Sequence, residues 1–165
     1  MSTAAARVKD AATSYLVGHL AGAEGGVKLV WRIADSDPGT ALGGFASALA
    51  REIEEDKTTL ADIIDRLGFS SQGFQELLAR VMETAAQRVL EIQAGDDERV
   101  VSLVQLETLS LGIEGKRCLW KALAAATAGD ARLEGIDFDH LIERAETQRE
   151  GVEQHRLEAA QAALV

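Results

Sequence analysis

Proline is almost missing from this chain. Pro38 stands alone among 165 residues, so nearly every stretch is free to be helical. Cysteine is equally scarce: Cys118 has no second thiol to pair with, which excludes an internal disulfide and points to a reducing, cytoplasmic compartment. No run approaches the roughly 20 apolar residues of a membrane span, and the opening MSTAAARVKD lacks the apolar core of a secretory signal. Basic charge is also short. Lys and Arg number 17 against 27 Asp and Glu, a net charge of -10 with no basic tract, which argues against nucleic acid or an anionic membrane as partner. There is no G-x-S-x-G elbow, phosphate loop, dinucleotide fingerprint or cysteine pair for zinc.

What is present is helix-forming. Aromatic residues make up only 4%, while Ala, Leu, Glu and Arg are abundant. Hydrophobic residues at 47% and charged residues at 27% are ordinary for a soluble globular chain, and this length suits one domain over 1–165.

Apolar periodicity divides the chain into helices. Leu16, Leu20, Ala23, Val27, Val30 and Ala34 alternate at spacings of four and three, predicting a helix over 11–34. DSDPGT at 35–40 supplies a turn, and a second helix is predicted from Thr40 to Leu67 through Leu42, Phe45, Leu49, Ile53, Leu60 and Ile64, stopped by Gly68. A shorter helix over 72–93 carries Phe74, Leu77, Leu78, Val81, Ala85, Val89 and Ile92 inward. Asp96 or Asp97 can cap the next helix, which runs to about Thr127. Asp137 caps the last, flanked by Ile136 and Leu141 as a hydrophobic staple, with Ala145, Val152, Ala159 and Ala163 continuing its stripe. Four long half-buried helices and a shorter one predict an all-α fold: an antiparallel four-helix bundle with an extra helix in the bundle or its crossover.

Several polar residues fall where apolar ones belong. Asp56 interrupts the stripe of the second helix, with Glu52 one turn earlier at its edge. A buried carboxylate requires a proton, a cation or a metal, and Arg117, Arg144 and Lys116 are the candidate cations. Gln148 and His155 share the inner face of the last helix, where Gln148 is placed to cross-link helices. Along 100–123, Glu107, Ser110, Glu114, Arg117 and Lys121 form one polar line, and Gln105, Thr108, Gly112 and Lys116 a second. In the first helix, HLAGAEGG places Gly18, Gly22, Gly25 and Gly26 in a helix interior, each destabilising by about 1 kcal/mol relative to alanine. Close approach of another helix is the expected reason, and room for a ligand or a kink the alternative. Cys118, beside Leu119 and Trp120, is expected to be a small buried hydrophobe, and Trp31 and Trp120 to pack.

Helix number and length, with carboxylates and histidines turned inward, resemble the ferritin-like superfamily. That resemblance implies a metal centre built from a Glu on each of two helices and a Glu-x-x-His pair on each of the others. The chain departs from this pattern. The residues three before His19, His140 and His155 are Leu16, Asp137 and Val152, and capping accounts for Asp137. The wording of GHLAGAEGG and LGIEGKRCLW is also similar to an uncharacterised group of actinobacterial helical proteins with no assigned activity.

Three readings compete. In the first, a non-enzymatic ferritin-like bundle uses its buried polar residues as a structural network, with no catalytic residue and no cofactor. In the second, a degenerate site binds a divalent metal or a small ligand, with Glu52, Asp56, Glu107, Glu114 and His155 as the metal-ligand candidates. In the third, the nearly all-round apolarity of 100–123 serves a homodimer or a helical protein partner.

Overall fold

A computed structural model describes residues 3–70, 72–92 and 97–165, with side chains for 9–70, 73–83 and 97–165. Every α-helix or 3-10 turn among them lies in one of six elements: α1 (Thr3–Ser36), α2 (Ala41–Arg66), α3 (Gln72–Ile92), α4 (Glu98–Ala126), a single 3-10 turn (Ala131–Leu133) and α5 (Phe138–Leu164). The all-α expectation holds. α1 begins well ahead of residue 11 because AAARVKDAA contains no breaker and is rich in the best helix former.

Local chemistry sets the helix ends. Thr40 caps α2, its hydroxyl accepting the Gly43 N–H at 3.1 Å and donating to the Asp37 carbonyl at 2.8 Å. Of the two aspartates considered for α4, Asp97 takes the Arg99 N–H at 2.9 Å; Asp96 lies outside the described residues. Asp137 accepts the His140 N–H at 2.9 Å, so this pair is a helix cap. At the end of α2, Gly68 turns left-handed with φ +76, and the Phe69 N–H reaches back to the Ile64 carbonyl at 3.1 Å. The Gly68 N–H bonds the Asp65 carbonyl at 2.9 Å, which completes a Schellman stop.

The α1–α2 corner allows no side chain at Gly43, where a Cβ would lie 2.0 Å from the Asp37 carbonyl oxygen. At Gly44 it would meet nothing within 4 Å. Gly43→Ala is therefore expected to lose about 1–3 kcal/mol in chemical denaturation, and Gly44→Ala to lose nothing. Equal effects at both positions would contradict this geometry.

α1 is the most heavily partnered helix, packing on α2, α3 and α4. Its burial is correspondingly broader than one stripe. Leu16, Val27, Val30 and Ala34 are buried, and so are Val17, Ala21, Leu29 and Ile33. α2 lies antiparallel to α1, since Glu24 meets Lys57 while Trp31 meets Glu54. α4 and α5 are likewise antiparallel and closely packed, with Glu107 opposite Arg156 and Arg117 opposite Glu146.

α2 and α5 approach closely over only a short stretch, and long side chains span the gap. α3 lies on α1 and touches α4 lightly, with Phe74 buried and Leu77, Leu78 and Val81 packed against the core. The inward positions expected at Ala85, Val89 and Ile92 fall outside the described side chains. Trp120, Ile63, Val17, Val30 and Val152 sit at the centre of the core. Among the described residues no helix is long and apolar enough to cross a membrane.

Candidate functional site

Asp56 is only 2% exposed, as its place in the α2 stripe predicts. Two cations meet it there: the Lys116 ammonium from α4 donates to one carboxylate oxygen and the Arg144 guanidinium from α5 to the other. Lys116 also donates to Gln148 Oε1, and the Gln148 amide donates to Glu52 at 2.9 Å and more loosely to Asp56 at 3.4 Å. Arg144 is tied outward to Glu55 at 3.0 Å. Three helices are thereby joined through one carboxylate. Burial pulls the Lys116 pKa below its ordinary value, opposed by the charge and hydrogen bond of Asp56. Arg117, the third candidate cation, pairs instead with Glu114 at 2.7 Å and Glu146 at 2.9 Å on the α4–α5 face.

The metal-ligand candidates divide. Glu52 and Asp56 are brought together through the Gln148 amide. Glu107 faces Arg156 at 3.5 Å, Glu114 pairs with Arg117 and lies 3.6 Å from Arg149, and His155 meets Glu158 at 3.3 Å while its ring rests on Phe45. These three engage other partners rather than Asp56. Among the described residues no three His, Cys, Asp or Glu gather in a metal-holding group.

Two expectations are corrected. Cys118 is exposed, with its sulfur 3.6 Å from Glu114, because it follows Glu114 by four residues and Leu111 by seven on the outer face of α4. The helical glycines of α1 do not serve close packing either. A Cβ built at Gly18, Gly22, Gly25 or Gly26 would meet nothing within 4 Å.

Those glycines border open space. A cavity of about 520 Å³ lies between α1, α2 and α4, walled by the four α1 glycines and by Gly112 and Gly115 of α4. Gly18, Gly22 and Gly112 are exposed, so it opens to solvent on that side. Leu29, Ile53, Leu60, Leu109, Ile113 and Trp120 make the rest of the wall mainly apolar. Asp56 and Lys116 also line it, which places the ion-pair network on one wall. Of the second polar line of α4, Thr108, Gly112 and Lys116 face the cavity and Gln105 is not part of its wall, while Glu107, Glu114 and Arg117 pair with α5.

The remaining polar groups of the wall are held in place. Lys57 is tied to Glu24 at 2.8 Å. His19 packs edge-on against Tyr15, and burial lowers its pKa, favouring the uncharged imidazole. Trp31, expected to pack, does so against the core while partly buried, its indole N–H donating to Glu54 at 2.9 Å. Trp120 and Lys57 escaped sequence reasoning as wall residues; the alignment of Thr108, Gly112 and Lys116 on one face of α4 was the available signal.

No family model, curated protein or solved structure matches the chain.

Proposed function

We propose that this chain is a non-enzymatic, ferritin-like bundle that holds a small, largely apolar molecule between α1, α2 and α4. The observation that carries this reading is the glycine wall. Six helical glycines border one cavity, and a Cβ at any of them would meet no neighbour within 4 Å. Alanine would fit each position and favour the helix, so packing gives no reason for glycine, whereas keeping the cavity wide does. Its volume, about 520 Å³, falls in the usual range for small-molecule sites, and a mostly apolar wall with a few polar groups is their usual lining.

The helix pairings support the ferritin-like part. α1–α2, α4–α5 and α2–α5 each run antiparallel by their cross-helix contacts, which makes α2 and α4 parallel and gives α3 the work of returning the chain. Lys116 and Arg144 bring positive charge to the inward carboxylate, so a side-chain network takes the role that a metal plays in that superfamily. The apolar all-round character of α4 is largely absorbed by α1, α5 and the cavity.

Calorimetric titration with naphthalene, an uncharged hydrocarbon, is expected to show saturable binding at one site per chain. Leucine at both Gly22 and Gly112 should fill the cavity and abolish it. Absence of saturable binding to the natural chain, or binding unchanged in the filled variant, overturns the proposal.

A further inference from the structure

Resting on that reading, we infer that the natural occupant is an uncharged molecule bearing a carbonyl-type hydrogen-bond acceptor, recognised by donors that α4 presents at Lys116 and Trp120. The one carboxylate on the cavity wall, that of Asp56, is already engaged. Asp56 receives Arg144 on one oxygen and Lys116 on the other, with the Gln148 amide at 3.4 Å. Thr108 spends its hydroxyl proton on the Val104 carbonyl at 2.8 Å, and Lys57, at the far side of the wall from α4, is tied to Glu24 of α1 at 2.8 Å.

Donors, in contrast, are left over. An ammonium carries three N–H groups, and Lys116 has two acceptors, Asp56 and Gln148 Oε1. Trp120 borders the cavity and is wholly buried, yet its indole N–H has no acceptor among the described residues. A buried donor without a partner is an unfavourable arrangement that a suitable ligand atom relieves. Residues 116 and 120 are one helical turn apart and therefore lie on the same side of α4.

Charge narrows the class further. Around Asp56, the three carboxylates of Asp56, Glu52 and Glu55 outnumber the two cations, Lys116 and Arg144. An anionic ligand would enter this cluster without a free opposite charge and would lose its hydration, whereas a neutral carbonyl satisfies the spare N–H without adding charge. The wall beyond these donors is apolar, so the rest of the molecule is hydrocarbon in character.

The test compares three ligands of one frame: naphthalene, 2-acetylnaphthalene and 2-naphthoate. The ketone is expected to bind about tenfold more tightly than the hydrocarbon, the gain of one hydrogen bond to a charged or buried donor. Trp120→Phe and Lys116→Met should each reduce that advantage, read as the ratio of ketone to naphthalene affinity within the same variant; the tryptophan variant keeps the ion-pair network whole. Equal binding of ketone and hydrocarbon overturns the acceptor inference and leaves the cavity reading standing. Tightest binding of 2-naphthoate overturns the neutral class, and failure of all three to bind overturns both readings.

Discussion

Alanine at Asp56 is expected to reduce the unfolding free energy by about 3 kcal/mol, read from urea denaturation. The carboxylate is nearly inaccessible, and its removal leaves two cations facing a gap. The side chains of Lys116 and Arg144 are only 13% and 18% exposed, so neither reaches bulk water without moving. Gln148 and Glu55 keep one partner for each, which holds the loss near the low end of what breaking a buried pair costs. Asparagine retains the shape but not the charge and should lose about 2 kcal/mol. Replacing Asp56, Lys116 and Arg144 together by Leu, Met and Met removes the charges as a set and should recover most of the stability, because the unpaired charge is the main penalty. A single alanine variant within about 0.5 kcal/mol of the natural chain would contradict a buried network.

The second large effect has the opposite sign. Alanine at all four of Gly18, Gly22, Gly25 and Gly26 is expected to raise stability by about 2–4 kcal/mol, at roughly 0.5–1 kcal/mol per position. Each added methyl group would project into open space, so no clash opposes the gain in helix propensity. The same four methyl groups narrow the cavity, and affinity for naphthalene should fall as stability rises. Helices in direct contact through these glycines would give the reverse, a loss of stability from overpacking. The sign alone separates the two accounts.

The elements were legible because their signals are local. Apolar spacing of three and four marks the helices, and Thr40, Asp97, Asp137 and Gly68 act on backbone groups within a few residues of themselves. The burial of Asp56 was legible for the same reason, as it shares a face with Ile53, Leu60 and Ile64. Its partners were only narrowed to three cations, since choosing Lys116 and Arg144 over Arg117 depends on how α4 and α5 are rotated about their axes. Cys118 was misread from its neighbours Leu119 and Trp120, although Glu114 and Leu111 on its own face already pointed outward. The glycines were misread because a sequence gives the small size of a residue and not what occupies the space beside it. That space depends on the distance between α1 and α4, which long-range packing alone decides.

The thin contact between α2 and α5 has a consequence for the order of assembly. Each of the two hairpins, α1 with α2 and α4 with α5, closes through a short connection, so each can form early at little entropic expense. The bridges from Glu52, Glu55 and Asp56 to Arg144 and Gln148 join residues about 90 positions apart and need both hairpins docked. They are expected to form after the rate-limiting barrier. Loss of Asp56 should therefore appear in kinetics as faster unfolding with nearly unchanged refolding, making this seam the latch that sets the lifetime of the native chain.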